Sequence, residues 1–126
     1  MLATPDATAP GLTRPVLTAG PLEIRPAELQ VLADGRRANL TVREFEVFLA
    51  LAEQRDRVVT REEVYRRVWR GQMAHRDRSV DVFVRKLRHK LAEAAPEWAF
   101  IHTHFGFGYR LSPEPSHAFH NATTAR

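Results

Sequence analysis

The chain has 126 residues, 44% of them hydrophobic and 27% charged, with a formal net charge of +4 and no cysteine. This length and composition indicate one soluble globular domain with a single core, and the basic excess favours a polyanionic partner. Without cysteine, a disulfide framework, thiolate catalysis and cysteine-ligated zinc are excluded. No apolar run approaches the roughly 20 residues of a membrane span and no signal peptide is recognisable, so we expect a cytoplasmic protein without membrane contact.

The N-terminal part is predicted to form a small sheet behind a tail. Residues 1–15 are rich in Ala, Thr and Pro and predict a flexible N-terminal tail. From residue 16 to residue 39, short extended runs alternate with breakers, and Asp34-Gly35 separates two of these runs. Asp-Gly favours a tight hairpin because both turn positions prefer positive φ. We expect a small antiparallel sheet that carries no site of its own.

Two helices with similar capping signals come next. Thr41 followed by Glu44 has the spacing of a capping box and predicts the start of the first helix. Thr60 followed by Glu63 predicts the start of the second helix in the same way. Gly71 is expected to end that second helix, and a polar loop then leads into a third helical segment.

The third helical segment, about residues 78–92, separates apolar from basic residues. Its apolar stripe at helical spacing consists of Val80, Val84, Leu87 and Leu91. Nine Lys/Arg and only two acids lie between Arg66 and Lys90, a net of +7, so the rest of the chain sums to −3. A solvated surface helix would interleave both signs. The concentration of positive charge on one element therefore indicates a nucleic-acid reader.

A β-hairpin is predicted directly after this helix. Residues 98–103 are apolar and rich in β-formers, and two glycines within four residues, Gly106 and Gly108, imply a tight turn before the chain returns. The predicted fold class is α+β, a winged helix-turn-helix with a small N-terminal antiparallel sheet, three helices and a C-terminal β-hairpin wing. The domain is expected to span residues 16–112, and residues 113–126 predict a disordered C-terminal tail.

Six short motifs occur in an order and spacing that resemble one known family. They are Leu40-Thr-Val-Arg-Glu-Phe45, Val59-Thr-Arg-Glu-Glu-Val64, Val68-Trp69, Arg78-Ser-Val-Asp-Val82, Arg85-Lys-Leu-Arg88 with Leu91, and Gly106-Phe-Gly-Tyr-Arg110. Together they resemble the OmpR/PhoB-type winged-helix output domain of bacterial response regulators in two-component systems. The resemblance implies a transcription regulator that binds double-stranded DNA repeats, often as a tandem homodimer. It also implies that the loop at residues 70–77 faces RNA polymerase.

A set of exposed side chains is expected to contact DNA, mainly from the third helix in the major groove. The predicted DNA-binding residues are Arg78, Ser79, Val82, Arg85, Lys86, Arg88, His89, Trp69 and His104. The three arginines and the serine suit phosphate oxygens, whereas Lys86 suits guanine O6/N7 and Val82 a thymine methyl group. Trp69 is expected to be largely core, with its N–H near a phosphate. Asp81 is expected to tie the helix to Arg61 or another neighbour.

The wing departs from the family pattern at one position. A basic residue usually precedes the first wing glycine and reaches towards the minor groove, and here that position is Phe105. We therefore expect the wing to contribute little specificity. Three alternatives are open: a protonated His104 acts as a weak substitute, Phe105 and Phe107 pack under the hairpin, or a ring enters between base steps. The last is the least favoured because it demands strong kinking of the DNA.

Other functions have weaker support in the sequence. The alternative is a winged-helix protein-interaction module that docks on RNA polymerase or a partner without an operator of its own, which would not need such a basic helix. No motif of an enzyme is present, and no cofactor is expected. His102 and His104 share a strand face, but two ligands are too few for a metal site. Few residues precede the sheet, so we expect either an excised output domain or a stand-alone regulator without a receiver domain.

Overall fold

The computed structural model describes residues 15–116, which form two antiparallel sheets and three α-helices. In chain order the elements are β1 (Leu17–Ala19), β2 (Leu22–Arg25), β3 (Gln30–Ala33), β4 (Arg36–Arg37), α1 (Val42–Ala52), β5 (Val58–Val59), α2 (Arg61–Trp69), α3 (Ser79–Ala94), β6 (Trp98–His104) and β7 (Gly108–Pro115). Within this range no helix has the length and apolarity needed to cross a bilayer. Most of both predicted tails lies outside the described residues. The predicted fold class is confirmed.

The N-terminal sheet has the strand order β1-β2-β3-β4, with every neighbouring pair antiparallel. Asp34 and Gly35 have φ values of 52° and 81°, so the predicted Asp-Gly hairpin turn is confirmed. The returning strand β4 is only two residues long because the chain bends after it. Leu40 N–H donates to the carbonyl of Ala38 at 2.9 Å, and this turn directs the chain into α1.

Both predicted helix starts are confirmed. Thr41 Oγ1 accepts the Glu44 N–H at 3.2 Å, and the Glu44 carboxylate accepts the Thr41 N–H at 2.8 Å, which completes the capping box of α1. Thr60 Oγ1 accepts the Glu63 N–H at 3.1 Å at the start of α2. These bonds satisfy N–H groups that have no partner inside their own helix.

The end of α2 differs from the prediction by one residue. The helix ends at Trp69, and Arg70, not Gly71, takes the left-handed cap conformation with a φ of 61°. The Arg70 N–H donates to the Arg66 carbonyl at 3.0 Å, and this bond holds a non-glycine residue in a conformation that glycine adopts more easily. The loop to α3 therefore begins with an exposed arginine.

The core forms where α1, α3 and both sheets meet. The predicted apolar stripe of α3 is confirmed, since all four of its residues are buried: Val80, Val84, Leu87 and Leu91. From α1, Phe45, Phe48 and Leu51 are fully buried in the same cluster. Burial of this stripe determines the rotation of α3 about its axis, and so determines which of its residues face outward.

The C-terminal sheet has the strand order β5-β7-β6, and its long hairpin β6–β7 is the predicted wing. β7 continues to Pro115, three residues past the predicted domain end at residue 112, and the domain bounds stay a prediction. Prolines usually interrupt strands, but they are tolerated where a neighbouring strand does not need their missing N–H. Beyond them, Ser116 N–H still donates to the Glu97 carbonyl at 2.7 Å, so the hairpin remains paired at its base.

Glu44 connects the start of α1 to α3. Its side chain is buried, with the residue 3% exposed, and its carboxylate lies 2.7 Å from Lys90 Nζ. Burial alone would raise the pKa of this carboxyl, but the bonds from Lys90 and Thr41 outweigh it and hold the pKa below its ordinary value. The ionised carboxylate is therefore part of the packing between the two helices.

We expect Glu44→Gln to lower the free energy of unfolding by about 1–3 kcal/mol at neutral pH, because Lys90 loses its counter-charge and the cap loses its carboxylate. Urea unfolding of both proteins measures this. Since the folded-state pKa is depressed, the contribution is present above the unfolded-state pKa and is lost as pH falls through the folded-state pKa. The difference between the two proteins should therefore shrink in acid.

Glu46→Gln is the matched control, because Glu46 lies on the same helix in an exposed pair 3.8 Å from Arg43 Nε. A change within about 0.5 kcal/mol is expected there. An equal loss in both variants, or a difference for Glu44→Gln that persists at low pH, would contradict this account.

Candidate nucleic-acid interface

The outer face of α3 lies opposite its buried stripe. The predicted contact residues that it exposes are Val82, Arg85, Lys86 and His89. Arg85 has no hydrogen-bond or ion-pair partner among residues 15–116. Lys86 Nζ lies 5.0 Å from the centre of the Phe83 ring. His89 Nε2 lies 3.4 Å from a Glu93 carboxylate oxygen, and the side chains of His89 and Glu93 are both well exposed. This face can therefore meet a ligand without rearrangement of the core.

Val82 is the apolar member of this face and is 46% exposed. It lies between basic side chains one turn away on the same helix surface. In water an exposed valine gains nothing, whereas a thymine methyl group would give it an apolar contact. The structure thus leaves Val82 where the sequence analysis expects it.

The N-terminus of α3 holds two of the predicted residues in local bonds. Arg78 Nε donates to Asp81 Oδ2 at 3.0 Å, although the arginine side chain stays largely exposed. The Ser79 N–H donates to Asp77 Oδ1 at 2.8 Å. Bonds from the Ser79 hydroxyl and from its N–H hold the pKa of Asp77 below its ordinary value. The backbone of Ser79 is therefore engaged with Asp77, whereas the guanidinium of Arg78 still has donors that point to solvent.

Arg88 has a different position from the other arginines of the helix. Its guanidinium donates to the Ile101 carbonyl at 2.9 and 3.1 Å and to Thr103 Oγ1 at 2.7 Å. It also lies 5.7 Å from the centre of the Tyr109 ring. Arg88 thus connects α3 to β6 of the wing. A phosphate contact from this residue stays a prediction, since any such contact must share donors already used within the domain.

Asp81 joins three elements at one point. Its carboxylate accepts the Arg61 Nε–H at 2.7 Å from α2, as the sequence analysis expects, and also accepts the Tyr109 hydroxyl of β7 and Arg78 Nε. Burial alone would raise the pKa of Asp81, but the bonds from Tyr109 and Arg61 lower it below its ordinary value. Burial, together with the bond to Asp81, raises the pKa of Tyr109. The ionised carboxylate therefore fixes α2, α3 and the wing relative to one another.

Trp69 packs inside an aromatic cluster. Its ring stacks on Tyr65 with centroids 4.9 Å apart and meets the edge of Phe83 at 5.6 Å. The Arg43 guanidinium lies over the indole ring, 5.0 Å from its centroid. The indole is half-buried, in accord with a largely structural role. A contact from its N–H to a phosphate stays a prediction.

The two aromatic side chains of the wing tip exclude one of the three alternatives given for them. Phe105 is 87% exposed and Phe107 is 71% exposed, so the interpretation that both rings pack under the hairpin is wrong. The bond between Phe107 N–H and the His104 carbonyl, at 2.8 Å, closes a turn in which Gly106 has a φ of 84°. Such a turn directs the side chains on either side of the glycine outward, away from the core.

His104 is engaged with Arg110, a residue that is absent from the predicted set. Arg110 Nε donates to His104 Nε2 at 3.0 Å, so this imidazole nitrogen acts as the acceptor. Strand alternation could have identified Arg110, because it pairs with His102 across the hairpin and so shares a face with His104.

The two strand histidines do not converge on a common point. His102 Nε2 lies 2.7 Å from the Ser112 carbonyl oxygen, whereas His104 bonds to Arg110. In the part of the chain that the structure describes, no group of three or more His, Cys, Asp or Glu side chains is placed to hold a metal ion.

Three helices with a β-hairpin directly after the third, and a basic outer face on that third helix, define a winged helix-turn-helix domain. Residues 35–111 match the family model described as "Transcriptional regulatory protein, C terminal". The chain belongs to this family, the OmpR/PhoB-type domains, as its six motifs predict.

Curated relatives agree with this membership. Transcriptional regulatory protein ResD of Bacillus subtilis (strain 168) is 37% identical over 100 residues, which are 79% of this chain and 42% of ResD. Transcriptional regulatory protein SrrA of Staphylococcus aureus (strain NCTC 8325 / PS 47) is 37% identical over 99 residues, which are 78% of this chain and 41% of SrrA. The chain thus spans about two-fifths of the length of these relatives.

Solved structures share the fold. The DNA-binding domain of CpxR from E. coli aligns with a TM-score of 0.72 at 27% identity, covering 79% of this chain and 97% of that domain. The RstA DNA-binding domain from Klebsiella pneumoniae, solved in complex with the RstA box, aligns with a TM-score of 0.70 at 28% identity. That alignment covers 79% of this chain and 98% of the RstA domain.

We expect Arg88→Met to lower the free energy of unfolding by about 1–3 kcal/mol, because the Ile101 carbonyl and the Thr103 hydroxyl lose their donor. Methionine keeps the apolar stem of the side chain. Arg85→Met is the matched control on the same helix, and a change within about 0.5 kcal/mol is expected because Arg85 has no such partners. Urea unfolding compares the two, and equal changes would contradict the structural role given to Arg88.

Proposed function

We propose that this chain binds double-stranded DNA in a sequence-specific manner and so regulates transcription, with α3 in the major groove. The observation that carries the proposal is the separation of the two faces of α3. One face is an unbroken apolar stripe in the core, and the other is exposed and basic. A net charge of +7 between residues 66 and 90 has no counterpart elsewhere in a chain of net +4.

The proposed contacts divide into two kinds. Arg78 and Arg85 hold the helix on phosphate oxygens, which fixes orientation without reading sequence. Lys86 and Val82 read base edges, the first at guanine O6/N7 and the second at a thymine methyl group. His89 lies one turn after Arg85 on the same exposed face and extends the contact surface. Arg88 acts mainly through the wing, and Ser79, Trp69 and His104 contribute at the edge of the interface.

The similarity to the RstA domain supports the proposal. That domain was solved in complex with the RstA box. Nearly the whole RstA domain, 98% of it, aligns with this chain. In a winged helix the third helix is the element of the right size and exposure for the major groove. The same groove in A-form RNA is too deep and narrow, so duplex DNA is the favoured polyanion.

The wider role of the protein is also a proposal. We infer that the chain acts in the cytoplasm as the DNA-binding part of a regulator and catalyses no reaction itself. The loop at residues 70–77 between α2 and α3 is the surface proposed for RNA polymerase, since most of its residues are exposed. A tandem homodimer on repeated half-sites would explain how one domain selects a longer operator.

A protein-interaction module without its own operator is the second candidate. The exposed loop before α3 is the observation in its favour. It does not account for the unpartnered cation of Arg85 on the outer face, because a protein partner would bury that charge at a cost unless it offered an acid there. The salt dependence of binding separates the two functions.

We expect the chain to bind duplex DNA with strong salt dependence. About four to six phosphate contacts per monomer would give log K a slope of roughly −4 to −5 against log salt concentration, because each contact releases counterions. Fluorescence anisotropy with a duplex chosen by selection from a random pool measures this slope. A slope near zero, or no binding of any duplex, would contradict the proposed function.

Arg85 and Lys86 are expected to affect binding differently because they lie at different angles on the outer face of α3. Arg85→Ala should weaken binding to selected and random duplexes alike, since it removes a phosphate contact. Lys86→Ala should instead relax the preference at one base pair by ~1–3 kcal/mol. Titrations against a panel of single-base variants distinguish these results. Equal losses on specific and random duplexes for both variants would show that the assigned roles are wrong.

A further inference from the structure

We propose that Phe105 and Phe107 form an aromatic tip that enters the minor groove beside the α3 site and selects easily deformed base steps there. This inference rests on the proposed function and adds a second reader to it. It replaces the expectation that the wing contributes little specificity, and it takes up the insertion of a ring between base steps, which the sequence favours least of the three alternatives. The two rings are the most exposed large hydrophobic side chains in the described part of the chain, at 87% and 71%.

The tip is a defined turn and not a loose loop. β6 and β7 are paired up to His104 and Gly108, and the Phe107 N–H closes the turn on the His104 carbonyl at 2.8 Å. Gly106, between the two rings, has a φ of 84°, and a Cβ at that position would meet nothing within 4 Å. The glycine between the two phenylalanines therefore lies in open space, and both side chains are largely exposed.

The hairpin is also fixed relative to α3. Arg88 bonds to Thr103, one residue before the end of the pairing, and Tyr109 bonds to Asp81 near the start of α3. Next to the turn, a Cβ on Gly108, the first residue of β7, would lie 2.1 Å from the Val59 carbonyl oxygen, so β5 and β7 are in close backbone contact. Placing α3 on DNA therefore places the tip as well.

The charges around the rings suit a nucleic acid better than a protein groove. Residues 101–110 contain no acid, and Arg110 lies on the same face as His104. The nearest acid on the hairpin is Glu114, which lies 3.8 Å from Arg110 and is further from the tip. Two exposed apolar rings on a strand end without acids match the form of minor-groove wedges, which insert phenylalanine between base steps while basic residues elsewhere hold the phosphates.

A phenylalanine tip implies a different preference from an arginine tip. Arginine is attracted by the negative potential of a narrow A-tract groove, and A-tracts are stiff. A ring gains its free energy from contact with sugars and bases, which requires the groove to open. Pyrimidine–purine steps such as TA and CA/TG unstack most easily. We therefore assign to the tip a preference for such a step on the wing side of the operator.

The test uses the full chain and a selected duplex in which only the flanking step varies, between TA, an A-tract and a GC step. A fluorescent adenine analogue at the step reports unstacking. The wild type is expected to bind the TA duplex best and to raise the analogue's fluorescence. The double variant F105A/F107A should lose about tenfold in affinity on that duplex, much less on the A-tract, and all of the fluorescence rise. A thermal melt checks that the variant stays folded.

Two further variants sharpen the result. Phe105→Arg should move the flank preference towards the A-tract, because it restores a cation at the tip. Leu29→Ala removes an exposed apolar side chain from the connection between β2 and β3 and should change neither affinity nor fluorescence.

Three outcomes would overturn the inference. Equal affinity and fluorescence for the wild type and F105A/F107A on every flank would show that the rings do not meet DNA. Unchanged binding to a single site with loss of cooperativity on a two-site duplex would assign the rings to a second copy of the chain. Failure of the wild type to bind any selected duplex would overturn the proposed function together with the inference, and only this outcome touches both.

Discussion

The carboxylate of Asp81 fixes the relative positions of α2, α3 and the wing. Asp81 accepts hydrogen bonds from Arg61 of α2, from Tyr109 of β7 and from Arg78 at the start of α3. Ion pairs at this depth add little net stability, since desolvation of the charges offsets much of their attraction. Their value here is geometric, because one acceptor with three donors in fixed directions permits one relative placement of two helices and a hairpin. The distance between the outer face of α3 and the wing is therefore fixed by the bonds to Asp81.

The basic charge of the third helix serves two purposes. Lys90 pairs with buried Glu44 of α1, and Arg88 bonds to the Ile101 carbonyl of β6, so both side chains connect α3 to its neighbours. Arg85 and Lys86, between them and the helix start, point outward with no acidic partner among the described residues. A count of charges cannot separate these purposes. Arg88 and Lys90 are therefore engaged within the domain, whereas Arg85 and Lys86 are available to a ligand.

Local signals made most of the fold predictable. The capping pair Thr41 and Glu44, the Asp34-Gly35 turn and the four-residue stripe of α3 each depend on residues close in sequence, and each is confirmed. The site was less predictable because its geometry depends on distant partners. Arg88 cannot be distinguished from Arg85 by sequence pattern. Its structural role becomes visible only through its bond to Ile101 of β6, thirteen residues further along the chain. The exposure of Phe105 likewise depends on how the hairpin is oriented relative to the core, and the spacing of apolar residues in the sequence does not predict that orientation.

The close backbone contact at Gly108 has a consequence for how this wing can change. Any side chain there would displace β5, and a residue inserted beside it would reverse the facing of Tyr109 and break its bond to Asp81. The first residue of β7 therefore tolerates almost no variation, whereas the two phenylalanine side chains of the adjacent turn are largely exposed, so their substitution leaves the core unchanged. The wing thus combines a rigid pair of strands with a turn whose exposed side chains can be substituted. New flank preferences can arise by substitution of one or two residues, without any adjustment of the helix that reads the major groove.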